Sequence, residues 1–158
     1  MPRTAVIGAG SWGTAVAALA ARNSPTVLWA RRADLAETIA TARVNRDYLP
    51  DYQLPKGLHA TSSLEEALDG AEVVVMGVPS HGFREILDEA KPFLTDGAPI
   101  ISLTKGVEQD TLKRMTEVIA DVAPDHPRGV LTGPNLAKEV MAGWPAASVV
   151  AIDDDDIA

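Results

Sequence analysis

A glycine-rich segment at residues 8–13, with the sequence GAGSWG, constrains the fold of this chain more than any other feature. It follows a short apolar run at 5–7 and precedes an alanine-rich segment that favours a helix, so it predicts a strand, a tight turn and a helix. In this pattern Gly8 makes the turn, Gly10 lets the backbone approach a pyrophosphate, and Gly13 lets the helix lie close to the strand. The pyrophosphate would lie on the free N–H groups at the start of that helix. We therefore predict a dinucleotide-binding unit here.

Strand-like and helix-like segments alternate along the rest of the chain. Apolar runs that favour strands lie at 26–30, 58–60, 72–78, 98–103, 129–132 and 147–152, and the short strand 58–60 falls within an irregular connection from 44 to 61. Segments that favour helices lie at 34–43, 64–68, 80–91, 111–122 and 136–141. In 111–122 the helical spacing is that of Leu112, Met115 and Ile119. The alternation predicts a doubly wound, mostly parallel α/β sheet, the Rossmann fold, as a single domain over residues 1–158.

Composition and charge exclude several classes of protein. The formal net charge is −8 and no basic cluster is present, so nucleic-acid binding is not expected. No apolar run approaches the length of a membrane span and no signal peptide precedes the first strand, so we expect a cytoplasmic protein. The absence of cysteine excludes disulfides and thiolate chemistry, and the three histidines lack metal-ligand spacing, so no metal site is predicted.

The end of the second predicted strand carries information about the cofactor. Domains of this fold that prefer NAD usually place an Asp or Glu there to hold the ribose 2′-hydroxyl group. This chain has Arg31 and Arg32 instead, and the nearest acid, Asp34, already lies in the predicted helix. Two guanidinium groups suit a 2′-phosphate and the face of an adenine, although a solvated strand end would carry the same residues. We predict that NADP(H) is preferred and that NAD(H) can also bind.

Ligands of an open α/β sheet bind outside the carboxyl ends of its strands. The residues that directly follow the predicted strands are therefore the candidates, and Lys105 is the only lysine among them. A lysine at this position can contact both the nicotinamide end of a cofactor and a carbonyl or phosphorylated substrate, although a surface lysine before Gly106 is the alternative. His81 lies at the start of the predicted helix 80–91, and we do not assign it as a catalytic base.

Five segments of the chain together resemble one family of enzymes. They are GAGSWGTA at 8–15, NRDYLP at 45–50, VPSH at 78–81, LTKGVE at 103–108 and TGPNLAKEV at 132–140. Their order and spacing are similar to those of the bacterial NAD(P)-dependent sn-glycerol-3-phosphate dehydrogenases. The resemblance implies an enzyme that interconverts dihydroxyacetone phosphate and sn-glycerol 3-phosphate, mainly as the NADPH-dependent reduction that supplies phospholipid synthesis.

The resemblance also implies roles for individual residues. Beyond the glycines, cofactor contacts of the family fall on Ser11, Trp12, Arg31, Arg32, Lys105 and Ala137. Substrate contacts fall on Lys105, which is shared with the cofactor, and on Gly133 and Asn135. Asn135 stands where the family commonly has a serine, and its amide can still offer a polar contact. A cationic lysine beside the C2 carbonyl would stabilise the alkoxide that forms when hydride arrives.

The chain is shorter than the enzymes that it resembles. Members of the family continue into a helical C-terminal domain, which carries the lysine expected to act as general acid and base. We therefore expect the coenzyme-binding part of the enzyme, without that catalytic lysine, which binds NADPH but is nearly inactive alone. Two alternatives stay open: a stand-alone NAD(P)-sensing module, and another two-domain dehydrogenase of the 6-phosphogluconate or ketopantoate type. A homodimer is also left open for the full-length enzyme.

Overall fold

One β-sheet organises the molecule. The computed structural model describes residues 1–154, 156 and 157. Seven strands lie within these residues, and they are β1 Thr4–Ile7, β2 Thr26–Trp29, β3 Leu58–Thr61, β4 Val73–Met76, β5 Ile100–Ser102, β6 Arg128–Thr132 and β7 Val149–Ile152. Their order in the sheet is β3-β2-β1-β4-β5-β6-β7. The first six strands run parallel, and β7 pairs with β6 in the antiparallel direction.

Helices cover both faces of this sheet. In the described part of the chain they are α1 Ser11–Ala20, α2 Ala33–Ala42, α3 Leu64–Leu68, α4 Phe83–Ala90, α5 Met115–Val122 and α6 Ala137–Met141. Short 3-10 turns at Ser80–Gly82 and Lys91–Phe93 precede and follow α4. The alternation of strands and helices confirms the predicted doubly wound, mostly parallel α/β sheet.

Alternating side chains of the central strands form the two halves of the core. Ala5 and Ile7 of β1 belong to the cluster that packs against α3, α4 and α5, whereas Val6 belongs to the cluster on the side of α1 and α2. The same alternation separates Val74 from Val75 in β4. A parallel sheet that is covered on both faces needs apolar residues at every position, which is why the continuous apolar runs of the sequence become its central strands.

The strand order reverses at β1. From β1 the chain passes to β2 and β3 on one side, and it returns to β4 on the other side. The N–H of Gly8 donates to the carbonyl of Trp29 at 3.0 Å, and the N–H of Gly77 donates to the carbonyl of Ile7 at 2.8 Å. These bonds hold the strand ends together up to the carboxyl edge of the sheet. The chain departs from β1 and β4 in opposite directions there, which opens a crevice at this edge.

The helix predicted at 111–122 begins later than its spacing indicated, so that boundary was wrong. The helix α5 begins at Met115, and Leu112 is 72% exposed with a φ of 56°, in the left-handed region that a helix does not use. The N–H of Leu112 donates to the carbonyl of Glu108 at 2.9 Å. Residues 108–114 therefore form a tight turn, and the helical spacing of Leu112 is coincidental.

Two other predicted boundaries shift for local reasons. The predicted helix 80–91 divides into the 3-10 turn Ser80–Gly82 and α4, because Gly82 has little tendency to continue a helix. Pro92 lies in the 3-10 turn that follows α4, since it has no N–H to donate to the preceding helical turn. The short strand expected at 58–60 is present as β3.

Candidate functional site

A cleft of about 670 Å³ opens at the crevice beside β1. Its walls are the turn between β1 and α1, the end of β2, and the loops that follow β4 and β5. This volume lies within the range of typical ligand pockets, and its position is the one where open α/β sheets bind their ligands. The cleft brings together eight of the predicted site residues: Gly8, Gly10, Ser11, Trp12, Gly13, Arg31, Arg32 and Lys105.

Two glycines of the turn are required because the backbone is crowded. Gly8 has a φ of +122°, and a Cβ atom on it would lie 2.6 Å from the carbonyl oxygen of Gly77. A Cβ atom on Gly13 would lie only 2.0 Å from the carbonyl oxygen of Gly8. The turn, the first turn of α1 and the end of β4 therefore touch backbone to backbone, which fits the roles that the sequence predicted for Gly8 and Gly13.

Gly10 has the opposite surroundings. A Cβ atom on it would have no heavy atom of the described residues within 4 Å, so the space above it is open. Gly10 is the N-cap of α1 and brings no side chain to the free N–H groups of the first helical turn. These N–H groups and the positive end of the helix dipole suit an anion. The open cradle over Gly10 therefore fits the pyrophosphate of a dinucleotide.

Asn45 supports this turn from the side of the protein interior. Its side chain is fully buried, and Nδ2 donates to the carbonyl of Ala9 at 2.9 Å and to Oγ1 of Thr14 at 2.8 Å. The N–H of Tyr48 donates to Oδ1 of Asn45 at 3.3 Å. Asn45 belongs to the segment NRDYLP, and no role is predicted for it from the sequence alone. Both N–H donors of this buried amide are paired. Asn45 therefore holds in place the glycine turn and residues 44–57, which form the connection between α2 and β3 and are called the connection 44–57 below.

Tyr48 also reaches the cleft from this connection. Tyr48 is 46% exposed, and its sequence position alone predicts no function for it. The signal that could have found it is an aromatic residue in a long irregular connection, because such connections in compact domains are often functional. His81, which is not predicted to be a catalytic base, lines the same cleft and is exposed.

The two arginines at the end of β2 differ in their partners. Arg32 donates from Nε and Nη2 to the two carboxylate oxygens of Asp34 at 3.1 and 2.8 Å, and its Nη1 lies 2.9 Å from Oδ2 of Asp47. The hydrogen bonds and charge of Asp34, followed by the charge of Asp47, raise the pKa of Arg32 above its usual range. Among the described residues, the ion pair of Arg31 is a loose one, with 3.9 Å between its Nη2 and Oε2 of Glu85, and its side chain is 70% exposed.

Lys105 lines the cleft from the loop that follows β5. The preceding residue, Thr104, donates from Oγ1 to the carbonyl of Val78 at 2.6 Å, and its N–H donates to Oγ of Ser102 at 3.1 Å. The following residue, Gly106, has a φ of +101°. The chain therefore turns sharply at Lys105, and the loop that carries it is tied to the loop after β4.

An ion-pair network holds the turn that follows Lys105. The guanidinium of Arg84 on α4 donates to both oxygens of Glu108 at 2.7 and 3.0 Å, and to Oδ2 of Asp121 at 2.9 Å. Oγ1 of Thr111 also donates to Oε2 of Glu108, and Nζ of Lys113 lies 2.5 Å from Oδ2 of Asp121. The hydrogen bonds from Arg84 and then Thr111 lower the pKa of Glu108 to about 2. The network joins α4, α5 and the loop of Lys105.

Three of the predicted site residues lie apart from the cleft that the described residues outline. Gly133 follows β6, and a Cβ atom on it would lie 2.4 Å from the carbonyl oxygen of Ala147. Asn135 donates from Nδ2 to Oγ of Ser148 at 2.6 Å, and Ala137 is the first residue of α6. These positions lie at the same carboxyl edge of the sheet as the cleft but do not line it. Their assignment to substrate and cofactor therefore stays a prediction.

Two kinds of feature are absent from the described residues. No helix among them is long and apolar enough to cross a membrane. They also contain no group of three or more His, Cys, Asp or Glu side chains that could hold a metal ion.

The fold and the cleft together define a doubly wound nucleotide-binding domain. A family model described as NAD-dependent glycerol-3-phosphate dehydrogenase N-terminus matches residues 3–158. The chain is 54% identical over 153 residues to glycerol-3-phosphate dehydrogenase (NAD(P)+) 2 of Sphingopyxis alaskensis, with 97% of this chain and 46% of that protein covered. It is 48% identical over 158 residues to a glycerol-3-phosphate dehydrogenase (NAD(P)+) of Mycobacterium bovis, with 99% and 46% covered.

A solved structure agrees with these sequence relatives. The crystal structure of glycerol-3-phosphate dehydrogenase from Coxiella burnetii superposes with a TM-score of 0.92 at 34% identity, covering 99% of this chain and 48% of that one. The chain belongs to the NAD-dependent glycerol-3-phosphate dehydrogenase family, and it corresponds to the N-terminal part of its members. It spans about half the length of the curated relatives that it matches.

Proposed function

We propose that this chain is the coenzyme-binding part of an NAD(P)H-dependent dehydrogenase that reduces dihydroxyacetone phosphate to sn-glycerol 3-phosphate. The observation that carries the proposal is the open space over Gly10 at the start of α1, inside a cleft of about 670 Å³. The relatives, which are NAD(P)+-dependent glycerol-3-phosphate dehydrogenases, support it. A nicotinamide cofactor, when bound, supplies the hydride for this reaction.

Different residues of the cleft bind different parts of the cofactor. The N–H groups after Gly10 hold the pyrophosphate, and Ser11 and Trp12 flank it at the start of α1. Arg31 and Arg32 hold the adenosine end at the carboxyl end of β2. The exposed guanidinium of Arg31 favours NADP(H) over NAD(H), since it can pair with a 2′-phosphate.

Lys105 serves the reacting end of the cofactor. Its ammonium group stabilises the negative charge that develops on the carbonyl oxygen of the substrate. Gly133 and Asn135 contact the substrate from the end of β6, and Ala137 contacts the cofactor. The general acid and base lies in the part of the family's enzymes that extends beyond this chain, so the chain alone is nearly inactive. A role in phospholipid synthesis, a cytoplasmic location and a homodimeric full-length enzyme stay predictions.

Tryptophan fluorescence tests cofactor binding, since Trp12 lines the cleft. We expect saturable quenching by NADPH and by NADH, and a smaller signal in Trp12→Phe, in which Trp29 still lines the cleft. Trp144→Phe serves as the control, because Trp144 is exposed and is not among the residues that line the cleft. Absence of a saturable signal with both cofactors in the unmodified chain would disprove the proposal.

Catalysis is tested by following NADPH oxidation with dihydroxyacetone phosphate. We compare this chain with a version extended past residue 158 by the C-terminal half of a relative. The extended protein should turn over, and the short chain should bind NADPH without turnover. Full activity of the short chain would contradict the two-part enzyme, and cofactor binding without activity in either protein would favour a nucleotide-sensing module.

A further inference from the structure

Two separate segments converge on the guanidinium of Arg32. Asp34 comes from the first turn of α2 and occupies Nε and Nη2, whereas Asp47 comes from the connection 44–57 and occupies Nη1. A guanidinium group has five N–H donors in one plane, so these contacts use most of its edge. Its flat faces remain free to stack on an aromatic ring.

Arg31 is placed in the opposite way. Its loose contact with Glu85 leaves its N–H fork available to a ligand in the cleft. A free fork of this kind binds a phosphate through two parallel hydrogen bonds, which an arginine already paired with two carboxylates cannot do without breaking them. The two neighbouring arginines are therefore not equivalent.

We propose that Asp47 is a specificity-determining residue that acts through its ion pair with Arg32: it holds the edge of the guanidinium, so that a flat face of Arg32 meets the adenine and Arg31 receives a 2′-phosphate. The inference rests on the proposed cofactor function and names the residue that sets its selectivity. The carboxylate of Asp47 also adds a negative charge beside the adenosine end. It therefore opposes the binding of NADP(H) more than that of NAD(H).

The position of Asp47 follows from the buried anchor two residues earlier. Asn45 fixes the start of the connection to Ala9 and Thr14 of the glycine turn. Asp47 is 40% exposed in its side chain, yet its backbone is confined between this anchor and Tyr48, whose N–H donates to Asn45. The connection that supports the pyrophosphate turn thus also sets the charge at the other end of the cleft.

The first test compares Asp47→Asn with Asp51→Asn, which removes the same charge from an exposed position of the same connection. Affinities of the chain for NADPH and NADH are measured by calorimetry or fluorescence. We expect Asp47→Asn to raise the ratio of NADPH to NADH affinity roughly three- to fivefold, the size of an exposed ion pair, and Asp51→Asn to leave it unchanged. An unchanged or lower ratio in Asp47→Asn, or an equal rise in both variants, overturns the proposal.

The second test separates the two arginines. Arg31→Gln should lower the NADPH to NADH ratio and weaken adenosine 2′,5′-bisphosphate more than ADP, whereas Arg32→Gln should weaken all four ligands to a similar degree. Arg22→Gln removes the same charge beyond the far end of α1 and serves as the control. A larger fall in the ratio with Arg32→Gln than with Arg31→Gln refutes the division of roles. Failure of the unmodified chain to bind either cofactor refutes the proposed function itself, so the two failures are distinguishable.

Discussion

Gly10 and Gly13 belong to the same turn, but they are needed for different reasons. A side chain on Gly13 would collide with the backbone of Gly8, while a side chain on Gly10 would project into open space. Gly13 therefore serves folding, and Gly10 serves the binding of the ligand. A single motif contains both functions because the strand, the turn and the helix must pack closely around an anion.

We predict that Gly13→Ala lowers the free energy of unfolding by about 1–3 kcal/mol, the usual cost of forcing an extra methyl group into a packed site. Gly10→Ala should leave stability nearly unchanged but weaken NADPH strongly, because its methyl group enters the cradle. Urea unfolding and a fluorescence titration measure the two quantities. Gly82→Ala, where a Cβ atom also meets open space, is the control for stability. Equal destabilisation by Gly10→Ala and Gly13→Ala would contradict this division.

Asn45 is the buried polar residue on which the turn depends. Asn45→Ala leaves the carbonyl of Ala9 and the hydroxyl of Thr14 without this donor, and an unsatisfied buried polar group costs about 1–3 kcal/mol. We expect this loss of stability together with weaker binding of both cofactors, measured by urea unfolding and titration. Asn23→Ala, at an exposed position after α1, should change neither. A stable Asn45→Ala protein with normal cofactor affinity would show that the anchor is dispensable.

At the scale of elements, an ion-pair network links two helices to the turn that follows Lys105. Arg84 on α4 and Asp121 on α5 meet at the turn that contains Glu108. The turn after Lys105 is therefore held by contacts that involve both α4 and α5.

The network makes stability depend on pH in a definite direction. The pKa of Glu108 falls from 4.5 to about 2 in the folded protein, so its contribution is fully present above pH 4.5 and is lost as the pH falls toward 2. Glu108→Gln should therefore be less stable than the unmodified chain at neutral pH, with the difference closing over this window. Denaturant unfolding across the window measures it, and Glu37→Gln on the exposed face of α2 is the control. A stability difference that stays constant with pH would contradict the role of Glu108.

At the scale of the whole molecule, the cleft joins the segments on both sides of β1, so a cofactor that fills it should stabilise the entire domain. We predict that NADPH at a hundred times its dissociation constant raises the free energy of unfolding by about 2.7 kcal/mol. Thermal or urea unfolding with and without NADPH measures this shift. The stabilisation should disappear at the same NADPH concentration in Gly10→Ala. Equal stabilisation of both proteins would mean that NADPH binds elsewhere.

The glycine turn, the alternation of strands and helices and the position of the two arginines could be predicted from the sequence, because each depends on residues that are near one another in the chain. The apolar runs predicted the central strands for the same reason. Leu112 shows the limit of this reasoning, since its helical spacing was overridden by the turn that Glu108 and Arg84 hold. Boundaries of this kind depend on contacts between distant segments, which a local pattern does not contain.

The sequence by itself determined that this chain forms a doubly wound sheet with a glycine turn suited to a dinucleotide. Only the tertiary structure decided that Asn45 supports this turn, that Tyr48 reaches the cleft, and that Asp47 pairs with Arg32. Asn45 and Ala9 lie 36 residues apart, and the path of the connection between them has no periodic pattern that would bring them together. Spacing specifies the elements, whereas packing between elements selects which polar groups meet at the site.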